Sequence, residues 1–261
     1  GVWAFWAKKL KAQYALGLWV VLIVADLWPV DKKYLNNDDF VSKRKAEVPY
    51  SPTKADNLIL QDKDPDYRVL NIGVSTFNDT STSYFHKSLG GYHGAKMKRY
   101  QEMIEQNISR EMQEIASRLR NVKSQEDLDK VFAGLNSINI LNTRYIIYNP
   151  EAAPLKNAHA LGNAWFVENY KLAANANEEI AAIKDIKAES TAVVDRKFEN
   201  EISGKSFRKD AQSSINLKSY APNKLVYQSN SSSEQLAVFS EIYYPKGWVA
   251  KIDGKVTPYF R

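Results

Sequence analysis

The chain contains no cysteine, so neither a disulfide framework nor a cysteine-ligated metal site can be built from its 261 residues. Histidine is nearly as scarce, with three copies, and no His-Glu-x-x-His helix or standard zinc spacing is present. No GxGxxG or Walker pattern occurs, which leaves nucleotide binding without its phosphate cradle. A Gly-x-Ser-x-Gly elbow is missing too, and with cysteine absent the commonest hydrolase nucleophiles are gone. Glycine and proline, at 11 and 9 residues, are too few for a low-complexity chain. Charge of one sign is never concentrated enough for a nucleic-acid face. Of the formal net +6, three positive charges belong to Lys8, Lys9 and Lys11. In the most basic later stretch, 96 to 120, Glu102, Glu105, Glu111 and Glu114 break the field.

What is abundant is apolar sequence near the start. From Ala12 to Ala25 no residue is charged, and Leu16 to Ala25 is apolar on every side, which suits a buried helix or a membrane span. Counting on through Asp26 to Val30 brings the run to roughly the ~17–25 residues a bilayer needs, and Pro29 is expected to end it. Lys8, Lys9 and Lys11 precede the run as on a cytoplasmic edge, and Trp28 and Tyr34 follow it as in an interfacial belt. Asp-Leu-Trp-Pro after the run argues against signal-peptide cleavage. Residues 1–30 are therefore expected to be a membrane helix contacting lipid, with everything beyond outside the cytoplasm.

The remainder reads as an α+β chain. Residues 31–66, polar and interrupted by proline, are a linker with one short helix. An α/β module spans 67–190, with strands expected at Tyr67–Ile72, Arg144–Tyr148 and Ala164–Val167. Tyr100, Ile104, Ile108, Met112, Ile115 and Leu119 form one stripe of a helix over 95–120. A second helix starts at a Ser124–Asp127 capping box, and a third, near 177–187, at Asn177. Beyond 190 the apolar period falls to two, as in Ile215/Leu217, Leu225/Tyr227, Leu236/Val238 and Trp248/Ala250/Ile252. With an Asp253-Gly254 hairpin signal, residues 191–261 read as an antiparallel β-sandwich or jelly-roll-like domain, truncated at its C-terminal end.

Chemistry concentrates in Phe77 to Gly94, where Asp79, His86 and His93 lie. His86 with Asp79 has the residue types for general acid/base work, and Gly90-Gly91 offers backbone amides to an anion. The competing reading is a loop whose Asn, Ser and Gly satisfy turns and cap the next helix. Glu241, in a strand between Phe239 and Tyr243, is expected to face solvent. No metal or cofactor is expected.

Three stretches, RVLNIGVSTFNDTSTSYFHKSLGGYHGAKMKRYQEMIE, LNSINILNTRYIIYNPEAAPL and LAVFSEIYYPKGWVAKIDGK, together with GNAWFV at 162–167, resemble the YfhO family of bacterial membrane proteins. The matches run in order from about residue 67 to the end. The resemblance implies a polytopic GT-C-type glycosyltransferase that uses a lipid-linked sugar, its catalytic carboxylate in a loop between spans. No catalytic residue carries over to this chain. The motif positions that do are Asn78, Asp79, His86, Gly91 and Tyr92, then Glu241, Tyr244, Gly247 and Trp248, without assigned roles. The expectation is a non-catalytic extracytoplasmic region, periplasmic in a Gram-negative cell, beside the parent's other spans. Its expected task is to assist glycosyl transfer to an envelope acceptor. The alternatives are a carbohydrate-binding or adhesive surface module, and a surface enzyme using Asp79 and His86.

Overall fold

The fold is taken from a computed structural model, which describes Trp6, residues 11–208 and residues 212–261. Lys8 and Lys9, with most of the first ten residues, lie outside the described part. Two compact units divide the chain, residues 1–51 and 52–261.

The first unit is built on helix α1, Ala12–Tyr34. Pro29 lies inside this helix and does not end it, contrary to the sequence expectation. A proline removes one i→i−4 bond and crowds one carbonyl, but the flanking turns are intact here and carry the helix through. At ~1.5 Å per residue, 23 residues reach about 35 Å, against a hydrocarbon core of ~30 Å. It is the one helix among the described residues long and apolar enough to cross a membrane. Leu16, Trp19, Val21, Leu22 and Ile23 are all exposed, so a soluble core does not explain their apolarity. Lys32 and Lys33 occupy the last turn, complementing the helix dipole and giving the run basic flanks on both sides. After a 3-10 turn at Asn37–Asp39 with its own Asn36–Asp39 capping box, helix α2, Lys43–Glu47, starts from Ser42. The stretch 31–66 thus holds more helix than expected.

The second unit opens with helix α3, Lys54–Ile59, whose Thr53–Asp56 capping box satisfies the first orphan amides. Ala55 and Ile59 are fully buried, so this part of the expected linker is core. Strand β1, Arg68–Asn71, is buried throughout and pairs in parallel with β2, Thr143–Ile147, which pairs antiparallel with β3, Leu155–Lys156. Parallel pairing demands a long crossover, and helices supply it. These are α4, Ser81–Phe85, then α5, from Lys98 through a π turn at Ile104–Ile108 to Arg118. Two more follow, α6, Gln125–Ala133, and α7, Asn136–Ile140. The expected stripe faces inward: Ile104, Ile108 and Ile115 are buried with Leu70, Leu128, Phe132 and Ile146, and Tyr100, Met112 and Leu119 pack around them. Helix α6 keeps the Ser124–Asp127 capping box.

Strand β4, Ala164–Val167, falls where the sequence put it, and its partner is β9, Leu236–Phe239, far along the chain. Between them lies a second parallel unit. Strand β5, Asn169–Ala173, and β6, Thr191–Asp195, pair across helix α8, Ala176–Ala182. The cap of α8 is Asn175, not Asn177, because Asn175 is extended and accepts from the amides of Asn177 and Glu178. A short helix α9, Glu199–Ile202, follows β6. Beyond 190, where an antiparallel sandwich was expected, β6 pairs in parallel, and the antiparallel pairing takes the form of small two-stranded sheets. Strand β7, Ser214–Ala221, pairs with β8, Lys224–Asn230, across Pro222-Asn223. Strand β10, Lys251–Ile252, pairs with β11, Lys255–Val256, across Asp253-Gly254. Both turn residues there have positive φ, 50° and 81°, the geometry for which a two-residue Asp-Gly loop is suited. The class is α+β with one apolar N-terminal helix.

Candidate functional site

The polar residues of the motif stretches meet around β1. Leu89 donates its amide to the carbonyl of Val69, and Val69 donates to that of Lys87, so residues 87–89 run beside β1 like an added strand. Alternation along this segment sends consecutive side chains to opposite sides. His86 goes to one and Lys87 to the other.

On the first side, His86 Nε2 lies 2.8 Å from Asp56 Oδ1, and the imidazole is 2% exposed. The other Asp56 oxygen accepts from the backbone amide and hydroxyl of Thr53, at 2.8 and 2.7 Å. One carboxylate therefore closes the N-terminus of α3 and fastens the chain at 86 to it. The candidate pairing of His86 with Asp79 is not formed. Asp79 accepts instead from the amide (2.9 Å) and hydroxyl of Ser81, at the start of α4. A side chain used to shape its own loop is not free to orient an imidazole. The other histidines are occupied as well: His93 Nδ1 accepts from the Ala95 amide at 3.0 Å, and His159 lies 3.0 Å from Asp129. No group of three or more His, Asp or Glu is placed to hold a metal among the described residues.

On the second side, Lys87 Nζ donates to Asp66 Oδ1 at 2.7 Å and to Glu241 Oε1 at 3.1 Å, with the Tyr220 ring centroid 4.5 Å away. The second oxygen of Glu241 faces Arg68 Nη2 at 3.6 Å. Arg68 Nη1 donates to the carbonyls of Leu141 (2.7 Å) and Ser240 (2.9 Å), and Asp66 Oδ2 accepts from Asn163 Nδ2 at 2.8 Å. Two carboxylates and two cations thus neutralise one another, with Asp66 and Arg68 buried and Lys87 and Glu241 partly exposed, the pairing that buried charges require. Burial, with the carboxylates of Glu241 and Asp66 nearby, pushes the Tyr227 phenol far above its ordinary range. Glu241 therefore faces inward. It lies in the bend after β9 rather than in a strand, so strand alternation does not govern its direction.

The remaining motif positions are structural or exposed. Gly91 has φ 108° and donates to the Thr76 carbonyl at 2.7 Å, while a Cβ on Gly90 would stand 2.1 Å from that same oxygen. The glycine pair is there for a close backbone crossing. Tyr92 is exposed, as is Asn78, whose side chain reaches Ser75 at 3.4 Å. Tyr244 lays its ring over Gly247, where a Cβ would meet it at 2.3 Å, and its carbonyl accepts from the amides of Gly247 and Trp248. The Trp248 carbonyl accepts from the Tyr259 hydroxyl at 2.9 Å. Among the described residues, only Glu241 of the carried-over positions enters the ionic network. Sequence reasoning missed Asp56, Asp66, Arg68, Lys87 and Asn163. The one local hint was a charged Arg68 heading an apolar strand.

A second polar tie stands beside the first. Arg144 holds Asp62 (3.1 Å) and Asp64 (2.8 Å), and Tyr145 donates to Asp62 at 2.8 Å. Partial burial raises the Asp62 pKa, but hydrogen bonds from the Asp64 backbone, Tyr145 and Arg144 outweigh it and leave the carboxyl below its usual range.

No family model, curated protein or solved structure matches this chain.

Proposed function

We propose that the chain is a membrane-anchored, non-catalytic extracytoplasmic region of a polytopic YfhO-like protein. It assists transfer of a sugar from a lipid-linked donor to a cell-envelope acceptor carried out elsewhere in the parent. The observation that supports a non-catalytic reading is the fate of the chemically able side chains. His86 is sealed against Asp56, and Glu241 is neutralised by Lys87 and Arg68, so both act as internal fasteners. The apolar helix α1 supports attachment to a membrane.

The test has two arms. The absence of native cysteine allows Glu151→Cys, at an exposed turn, to report sidedness in intact cells with a membrane-impermeant maleimide. Labelling without permeabilisation is expected, and labelling only after lysis overturns the extracytoplasmic assignment. The purified chain with a lipid-linked sugar donor and envelope acceptor is expected to give no transfer, and measurable turnover overturns the non-catalytic assignment.

A second reading, a carbohydrate-binding module, is favoured by the exposed rings of Tyr92 and Tyr244, since sugars stack on accessible aromatic faces. Calorimetric titration with envelope glycans separates it: binding abolished by Tyr92→Ala or Tyr244→Ala supports it, and no heat with any glycan sinks it.

A further inference from the structure

We infer that residues 32–48, directly after α1, form a docking surface for anionic phospholipid headgroups; the inference rests on α1 being a membrane anchor. Within this stretch Tyr34, Leu35, Phe40, Val41 and Val48 are all exposed, Phe40 at 70%. Five exposed apolar side chains in seventeen residues is a poor surface for water. It suits the headgroup boundary, where aromatic rings and aliphatic chains are half immersed. The charges between them match the same partner. Lys32, Lys33, Lys43, Arg44 and Lys45 are exposed, with Lys32 lying 5.5 Å over the Trp28 ring of the anchor.

The three acids of the stretch, Asp38, Asp39 and Glu47, leave its five cations in excess. Asp39 is turned back onto the amide of Asn36 at 2.7 Å, and Asp38 flanks it in the same 3-10 turn. Glu47 meets Lys43 only at 3.8 Å, with both side chains well exposed. The run Lys43-Arg44-Lys45 is left as the basic end of a segment whose other end leaves the bilayer at Tyr34. Continuity with the anchor tethers it beside the headgroups, and basic residues feel an anionic surface within about a Debye length, ~8–10 Å. Neutral lipid leaves the cations without partners, and the five apolar side chains alone do not hold the stretch against it.

The test uses the cysteine-free full chain in lipid nanodiscs, with an environment-sensitive fluorophore at Val41→Cys and, separately, at Leu22→Cys in the anchor. Iodide quenching is measured in phosphatidylcholine discs and in discs containing phosphatidylglycerol. The Val41 label is expected to be shielded in the phosphatidylglycerol discs and open in pure phosphatidylcholine. High salt, or the combined change Lys43→Glu, Arg44→Glu, Lys45→Glu, is expected to reopen it, by about fivefold in the docking equilibrium for each basic residue lost. A Val41 label equally open in both discs overturns the inference, and a still-shielded Leu22 label then leaves the anchor standing. Equal shielding in both discs, untouched by the charge reversal, overturns it as well, because the contact is then not with anionic lipid. An open Leu22 label removes the anchor and the inference together.

Discussion

Lys87→Ala is the sharpest perturbation of the second unit. Lys87 Nζ is the only cation bonded to Asp66 among the described residues, at 2.7 Å, and also the nearer of the two cations facing Glu241. Removing it leaves Asp66, whose side chain is 3% exposed, with amide donors from Asn163 but no counter-charge. Breaking a buried pair from one side typically costs ~3–5 kcal/mol, because the orphaned charge keeps its desolvation penalty. Lost contact with the Tyr220 ring adds about 0.5–1 kcal/mol. Lys87 is itself partly exposed, which places the expected total near the lower bound, about 3–4 kcal/mol. Glu241→Ala should cost less, about 1–2 kcal/mol, because Lys87 keeps Asp66, and Arg68 keeps the carbonyls of Leu141 and Ser240. The double variant should fall short of the sum, since the two side chains share a bond. Urea unfolding of the full chain in mild detergent, followed by near-UV circular dichroism, measures all three. At ~2–4 °C per kcal/mol, the Lys87 variant should melt about 6–16 °C lower. A Lys87→Ala cost below about 1 kcal/mol, or a larger cost for Glu241→Ala, refutes the placement of Lys87 at the centre of the network.

Three further outcomes are expected. His86→Ala should cost about 1–3 kcal/mol by urea unfolding and Asp56→Ala more, since Asp56 also closes the Thr53 cap; equal costs would mean the cap contributes nothing. Asp62 is held below its unfolded pKa, so its stabilisation is present above about pH 3.9 and is lost as pH falls through the folded value. Asp62→Asn should therefore destabilise the chain near neutrality and converge with wild type in strong acid, and parallel pH–stability curves would contradict the Arg144–Asp62 tie. Gly90→Ala should destabilise by more than about 1 kcal/mol, because its methyl meets the Thr76 backbone oxygen rather than a side chain that can swing away. An unchanged melting temperature would show that the 88–91 crossing is looser than its geometry.

Elements whose side chains follow a single period were legible. The α5 stripe, the Ser124 cap, β4 and the Asp253-Gly254 hairpin each depend on residues within a few positions of one another. Strands β5 and β6 went unread although Asn169–Ala173 alternates and Thr191, Val193 and Val194 are β-branched, because each is short, polar-flanked and paired across a helix. Pro29 misled because a proline costs one i→i−4 bond and crowds one carbonyl, and the turns on either side of it continue the helix. The candidate site was the least legible part. Asp56 and His86 are 30 residues apart, and Lys87 and Glu241 are 154 apart, so only the third dimension selects these partners over the carboxylates nearer in sequence.

That selection decides how the motif positions can be tested for function. A variant at His86 or Glu241 removes a partner from a buried charge and lowers stability, so a loss of function there is not by itself a sign of ligand contact. Tyr92 is different: its ring is largely exposed, and its removal should leave the melt within about 0.5 kcal/mol of wild type. Tyr244 is intermediate, since its ring covers Gly247 while its outer face is open. A functional loss at Tyr92 without a change in stability would locate a ligand contact on the 91–94 loop. The same loss confined to His86 and Glu241, scaling with their unfolding free energies, would instead mean that these stretches serve only to keep the two parallel units and the β7–β8 hairpin assembled.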